Sequence, residues 1–378
     1  MVHVIENYKY GYRMAIIDKE QRSVFDDEFE HLSVEDDEIR FSSDNVSIKI
    51  DKDNLSVFSE LHTGDVISIN EKGIYNILYN QEQGETVFYM GGNCNSNCLM
   101  CPAGDAERKK DYSRQWLDTL GFIKMLPAQI CYYVITGGEP TLNKDGFLTV
   151  ADYIKNKFIE TGGIILTNGR SFASGQFADE FKERAPKDIM LAIPIHGASE
   201  KTHDVITQAR GSFKQTMKGI RNLIDREFYI EIRIVVTKLN CNETLGIAKL
   251  IADYFPDVFR VNFIGLEVRG SCFKNRKEVY ITPKDSFDKS KSAIDYLLSK
   301  GINVGLYNYP LCNVDREYWL LCKKSIAYEK SVYDSGCDYC DMKEECGGLF
   351  NSTLKAVAPP INPIRYSRRT ENTDEKPF

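Results

Sequence analysis

The hydrophobic positions change rhythm once along the chain. Up to about residue 83, short apolar runs alternate with turns, as in Val46-Ser-Ile-Lys-Ile50, Asp65-Val-Ile-Ser-Ile69 and Gly73-Ile-Tyr-Asn-Ile-Leu78. That alternation predicts half-buried strands, so residues 1–83 read as a small β-rich domain. From Thr86-Val-Phe-Tyr-Met90 onward, strands alternate with helical stretches. The expected strands are Thr86–Met90, Cys131–Thr136, Gly163–Thr167, Ile189–Ile195, Tyr229–Val236 and Val261–Leu266. Between them, Trp116, Leu120 and Ile123 share one helical face, as do Phe147, Val150, Ala151 and Ile154, then Phe177 and Phe181, then Phe213, Met217, Ile220 and Ile224. A further helix runs from Leu245 to Tyr254. Strands joined by helical crossovers predict βα units and a parallel sheet, here over residues 84–305.

Chemistry-bearing residues fall where these strands end. Cys94-Asn-Ser-Asn-Cys98-Leu-Met-Cys101-Pro follows the first, Thr136-Gly-Gly-Glu139-Pro-Thr141 the second, Thr167-Asn-Gly169 the third, and His196 the fourth. Reactive groups of a parallel barrel sit on those loops. Three thiolates fill three corners of a 4Fe-4S cluster and leave one iron open to a small ligand. Structural zinc prefers four ligands in Cys-X2-Cys pairs, so the CX3CX2C spacing fits zinc poorly. Gly137 and Gly138 remove side chains where backbone must come close, and the Glu139 carboxylate can accept from an ammonium group.

Composition narrows the class. With 378 residues and 42% hydrophobic content the chain can bury a core and exceeds one typical domain. No run approaches a membrane span and the N-terminus lacks a signal-type apolar region, so a cytoplasmic protein with no membrane contact is expected. Eleven cysteines in a reducing compartment point to metal ligation rather than disulfides. A net charge of -7 argues against a nucleic-acid partner. The acidic runs Asp26–Glu28 and Glu35–Glu38 read either as a solvated face or as a surface for a basic peptide leader.

The CX3CX2C loop joined to Gly-Gly-Glu-Pro resembles the radical S-adenosylmethionine (SAM) superfamily. The resemblance implies an α/β fold, a partial (β/α)6 TIM-type barrel, in which Cys94, Cys98 and Cys101 are the catalytic cluster ligands and SAM chelates the open iron. It places Gly137, Gly138 and Glu139 at the SAM amino group and Asn168 near the ribose or carboxylate. A plain left-handed Asn-Gly turn is the other reading of Asn168. Arg210 and Arg233 are candidates for the SAM carboxylate, since the guanidinium fork suits it; Arg210 reads equally as a loop cap. Met100 stands where an aromatic residue commonly packs near the adenine. His196 reads as a substrate contact or a core histidine, and Glu231 and Glu267 as lumen residues or buried partners.

Beyond the barrel come Cys312 and then Cys337-Asp-Tyr-Cys340-Asp-Met-Lys-Glu-Glu-Cys346. This set, in residues 306–355, resembles the SPASM and twitch extensions of peptide-modifying radical SAM enzymes, which implies one auxiliary 4Fe-4S cluster. Zinc is the competing occupant for four thiolates. Cys322 is a spare or rival ligand, and Cys131, Cys241 and Cys272 read as core residues. Residues 356–378, with several prolines and no periodicity, read as an irregular tail.

Within the superfamily the resemblance runs to the HxsC type of the His-Xaa-Ser peptide systems. It rests on Cys94–Pro102, Leu191–Pro194, Ala209–Phe213, Gly265–Glu267, Leu306–Asn308 and Cys346–Gly348. It implies a peptide maturase acting on a ribosomally made precursor, a second radical SAM maturase as partner and an external electron donor. A small-molecule or RNA substrate, or a non-catalytic iron-sulfur scaffold, are the other classes the motifs leave open.

Overall fold

The computed structural model describes residues 3–6, 8–19, 28–43 and 46–366. Asp26 and Asp27 of the first acidic run, and residues 367–378 of the tail, lie outside the described residues. The strands in chain order are β1 His3–Val4, β2 Arg13–Ile17, β3 His31–Glu35, β4 Glu38–Phe41, β5 Ser47–Lys49, β6 Val66–Ile69, β7 Ile74–Tyr79, β8 Glu85–Tyr89, β9 Tyr132–Thr136, β10 Gly163–Leu166, β11 Met190–Pro194, β12 Tyr229–Val235, β13 Arg260–Ile264, β14 Val304–Tyr307, β15 Cys322–Lys323, β16 Ser331–Val332 and β17 Leu349–Phe350. The helices are α1 Lys52–Glu60, α2 Asp105–Arg108, α3 Gln115–Met125, α4 Lys144–Lys157, α5 Gly175–Arg184, α6 Glu200–Thr207, α7 Ser212–Ile224, α8 Thr244–Tyr254, α9 Gly270–Lys274, α10 Arg276–Val279, α11 Pro283–Ser299 and α12 Asn351–Val357. No helix among the described residues is long and apolar enough to cross a membrane.

Each strand read from the apolar pattern is present, displaced by a residue or two at its ends. The helix α1 was not legible in the β-rich region. It is capped by Asp51, whose carboxylate accepts from the Asn54 N–H at 2.8 Å, a typical N-terminal signal. It buries Phe58 completely, worth roughly 2–3 kcal/mol of apolar transfer. The strand β14 extends the parallel series past the six expected, because Gly305 interrupts a run only four residues long and leaves little periodicity to read.

The chain divides into two compact units. The first comprises residues 1–95, 108–192 and 222–229. Its strands follow the order β5-β4-β3-β2-β6-β7-β8-β9-β10-β11, with β1 on β7. Here β8 is the seam. It pairs antiparallel with β7 through Tyr79 and Thr86 and parallel with β9, in register Glu85 to Tyr132 and Tyr89 to Thr136. The N-terminal strands therefore run into the parallel series β8–β11 by hydrogen bonding. Their own core gathers Ile17, Leu32, Ile39, Phe41, Phe58 and Ile67. The acidic turn between β3 and β4 is a solvated face in which Glu35 meets Arg40 at 3.1 Å and Asp37 meets Lys49 at 3.8 Å.

The second unit comprises residues 96–107, 193–221 and 230–378. It holds the parallel series β12-β13-β14-β15. On one strand face Ile230, Ile232, Ile234, Val261 and Phe263 are buried. On the other stand Glu231, Arg233, Arg260 and Asn262, paired in register across β12 and β13, so alternation gives these strands one polar side.

Candidate active site

In the first unit the loops after β8, β9 and β10 are bonded together. The Gly138 N–H donates to the Gly91 carbonyl and the Glu139 N–H to the Asn93 carbonyl, both at 2.8 Å. A Cβ on Gly137 would lie 2.3 Å from the Gly91 oxygen, and one on Gly138 would lie 2.2 Å from that of Gly92 and 2.3 Å from that of Asn93. No side chain fits in that gap. The close approach these glycines permit is thus to the backbone that leads into Cys94.

Glu139 is 3% exposed, and both its oxygens are engaged. One accepts from the Thr141 N–H at 3.1 Å, the Thr141 hydroxyl at 2.5 Å and the Thr167 hydroxyl at 2.7 Å. The other accepts from the Asn168 N–H at 2.6 Å. Burial pushes its carboxyl above the usual range, and these hydrogen bonds pull it part of the way back. The carboxylate is therefore the joint between the Gly-Gly-Glu loop and the Thr167-Asn168-Gly169 turn.

Asn168 faces the cysteine loop. Its Nδ2 donates to Asn95 Oδ1 at 2.7 Å and lies 3.9 Å from Cys94 Sγ. Its Oδ1 accepts from the Arg170 N–H at 3.0 Å, an Asx turn completed by Gly169 at φ +75°. The Asn-Gly turn is therefore present, and it aims the Asn168 amide at the cysteine loop. Arg170, which sequence reasoning passed over, donates from its guanidinium to the Asn95 carbonyl. Its place one residue beyond an Asn-Gly turn at a strand end was the available signal.

In the second unit the loop continues through Cys98 and Cys101, fixed from two sides. The Asn97 and Leu99 N–H groups donate to the Thr207 and Ile206 carbonyls at 2.9 and 3.0 Å. The Cys101 carbonyl accepts from the Cys272 N–H at 3.1 Å, and the Leu99 carbonyl from Asn275 Nδ2 at 3.0 Å. Met100 is buried among Ile206, Val268, Cys272 and Val279. Arg210 lies three residues past Thr207, exposed, in the turn between α6 and α7. Arg233 is committed elsewhere, its Nε 2.6 Å from Glu231 Oε1. The buried Glu231 also meets Arg260 at 3.4 Å, so its carboxylate is paired with two half-buried arginines. Releasing Arg233 would leave the buried Glu231 with the more distant Arg260 as its remaining partner.

His196 is a core residue. Its N–H donates to His203 Nδ1 at 3.1 Å, and burial together with the nearby His203 holds its imidazole well below the usual range.

The C-terminal cysteines also converge. Cys312, Cys337, Cys340 and Cys346 line one small cavity, partly open to solvent, with Leu311, Met342, Ile361 and Pro363. The Leu311 N–H points to Cys346 Sγ at 3.5 Å. Cys322 is not among the lining residues; its thiol is pushed up to about 12 by burial. Residues 361–364 of the expected tail wrap onto this cavity, with the Ile364 carbonyl accepting from the Asp341 N–H at 2.9 Å. Among the described residues no three Cys, His, Asp or Glu side chains close around a point that would suit a single metal ion. Zinc would need its thiolates about 2.3 Å from one centre and a 4Fe-4S cubane would place each on a different iron; the cavity brings together four thiols, the number either group takes.

Comparison with known proteins agrees with the loops described above. Residues 88–251 match the sequence profile of the Radical SAM superfamily. The chain is 27% identical over 185 residues to the AdoMet-dependent heme synthase of Methanosarcina barkeri (strain Fusaro / DSM 804), covering 47% of this chain and 49% of that protein. It is 27% identical over 134 residues to the antilisterial bacteriocin subtilosin biosynthesis protein AlbA of Bacillus subtilis (strain 168), covering 34% and 28%. Among solved structures, Streptococcus suis SuiB bound to precursor peptide SuiA aligns with a TM-score of 0.46 at 15% identity, over 61% of this chain and 49% of that one. The matched region thus spans half or less of the length of these curated relatives. Through residues 88–251, somewhat under half of its length, the chain is thus similar to the radical SAM superfamily.

Proposed function

We propose that this protein is a radical SAM peptide maturase. The observation that carries the enzymatic reading is the joining of the Cys94 approach, Gly137-Gly138-Glu139 and Asn168 around one buried carboxylate. That donor set fits the cofactors. Cys94, Cys98 and Cys101 would hold the catalytic 4Fe-4S cluster, and Asn168 would steady the Cys94 thiolate. Bound SAM would supply, on reduction by an external electron donor, a 5'-deoxyadenosyl radical able to attack unactivated C–H bonds. Glu139, with its oxygens already bonded, would act on SAM chiefly by fixing the backbone of its own loop. Exposed Arg210 is the better placed partner for the SAM carboxylate, because Arg233 is held by Glu231. Cys312, Cys337, Cys340 and Cys346 would hold the auxiliary 4Fe-4S cluster.

The substrate reading is a His-Xaa-Ser-type precursor peptide, crosslinked in company with a second radical SAM maturase. The match to AlbA and the resemblance of the C-terminal cysteine set to SPASM and twitch extensions support a peptide. The parallel series β8–β11 and β12–β14 support a partial barrel as the scaffold, and eleven cysteines without a disulfide among the described residues suit a cytoplasmic setting. A small-molecule substrate is the second reading, favoured by the match to the heme synthase. Anaerobic incubation with SAM, a reductant and the precursor peptide encoded beside the gene separates them. Crosslinking predicts 5'-deoxyadenosine together with a peptide that has lost a pair of hydrogens. If 5'-deoxyadenosine forms and the peptide mass stays unchanged, the crosslinking reading fails and the radical SAM assignment stands.

A further inference from the structure

Within the second unit a continuous set of contacts runs from the C-terminal cysteine cavity to the Cys98–Cys101 segment. Cys346, Gly348 and Leu349 line the cavity, and Gly348, at φ +69°, leaves no room for a side chain beside Ser331 and the Val332 carbonyl. The chain then enters β17, paired with β16, and turns directly into α12. There Thr353 is 3% exposed; its Oγ1 accepts from the Val268 N–H at 2.9 Å and lies 3.4 Å from the Leu266 carbonyl. One turn on, Ala356 and Val357 pack against the cluster formed by Met100, Ile206, Val268, Cys272 and Val279. The segment that follows Val268 closes on the loop. Besides the bonds from Cys272 and Asn275 already described, the Ser271 N–H and hydroxyl both point to the Ala103 carbonyl at 3.3 Å. A Cβ on Gly270 would lie 2.3 Å from the Pro102 oxygen.

We propose that α12 is a strut and Thr353 its positioning residue, so that occupancy of the four-cysteine cavity sets the order of the Cys98–Cys101 segment. The inference rests on the reading of both cysteine sets as cofactor ligands. Its physical basis is that Met100, between two of the ligands, is packed on one side by residues whose position α12 fixes. Close-packed interiors transmit such displacements, because a side chain cannot move without its neighbours. A filled cavity would fix Cys346 and hence β17; with the cavity unfilled, that end of α12 relies on the pairing of β17 with β16.

The test is hydrogen exchange by mass spectrometry on the full chain after anaerobic reconstitution, with iron counted in the same samples. Thr353→Val is nearly isosteric and leaves the buried Val268 N–H without its acceptor. It is expected to speed exchange in residues 97–103 and 266–272 about tenfold, with no change in β6 and β7. Thr353→Ser keeps the hydroxyl and restores protection. The double variant Cys337→Ser, Cys340→Ser is expected to speed exchange in the same 97–103 segment. Unchanged exchange at 97–103 in Thr353→Val overturns the strut. An effect of the double variant confined to 306–350 overturns the link to the cavity. Should iron counting show no metal at the C-terminal set while Thr353→Val still loosens 97–103, the strut stands and the auxiliary-cluster reading falls. If Thr353→Val does not fold, Ala356→Gly, which trims the apolar contact of α12 with the Met100 cluster without orphaning a polar group, is read by the same exchange at 97–103.

Discussion

Replacing Glu139 by Gln tests whether this carboxylate is the joint of the active-site loops. The substitution keeps size and removes one acceptor. A glutamine can place its oxygen where three donors meet, those of the Thr141 N–H, the Thr141 hydroxyl and the Thr167 hydroxyl, only by turning its NH2 toward the Asn168 N–H. The opposite orientation loses three bonds instead of one, so the first is taken. It forfeits a charge-assisted bond worth about 1.5–3 kcal/mol and sets two donors face to face. Against this, the cost of keeping a charge buried disappears, a cost expressed in the raised pKa of Glu139. The balance is a loss of about 2 kcal/mol, seen as a fall of about 2–3 °C in the melting temperature of a chain this long. The damage is local. With the Asn168 backbone pushed off, its amide leaves Asn95 and Cys94, and the cluster proposed on Cys94, Cys98 and Cys101 should change its spectrum and bind SAM more weakly. The sign of the pH dependence follows from the direction of the shift. A carboxyl raised in the folded state contributes stability below its unfolded pKa, near 4.5, and that contribution is lost as pH rises through the folded value. Glu139→Gln should abolish this component. A variant that melts like the parent and keeps both the cluster spectrum and SAM affinity would falsify the account.

Two further outcomes follow from the geometry. Cys322→Ala should leave the iron content of the reconstituted protein unchanged, whereas Cys337→Ser with Cys340→Ser should remove about four irons per chain; iron lost on Cys322→Ala would show that this thiol, and not Cys312, completes the set. His196 is buried with its pKa held well below 6.5, so it contributes stability above the unfolded value that is lost as pH falls from there toward the folded one. Urea midpoints for the parent should decline over that acid window, and His196→Gln should flatten the decline; an equal slope in both would remove His196 from the account.

The order of strands and helices was determined by the sequence, because apolar periodicity is a local property and each strand face needs its own run of side chains. The placement of Cys94–Cys101, Gly137–Glu139 and Asn168 at strand ends followed from the same reading. Even so, α1 escaped, since nine residues with a polar composition carry a weak helical pattern, and β14 escaped through Gly305. What those motif residues touch was decided only by tertiary structure. Gly137 and Gly138 are required by a backbone approach between two loops some forty residues apart. Glu139 gathers donors from Thr141, Thr167 and Asn168, and Arg233 is occupied by Glu231. Met100 turns inward to a core supplied by α6, α9, α10 and α12. Spacing grouped Cys337, Cys340 and Cys346 and suggested Cys312 as their companion, whereas the sharing of one cavity wall by these four, with Cys322 outside its lining, is a property of the packed fold. The physical reason is common to all of these. Periodicity and spacing are written within a few residues, whereas hydrogen-bond partners, ion pairs and cavity walls come from segments far apart in the chain, and only the packed fold brings them within reach.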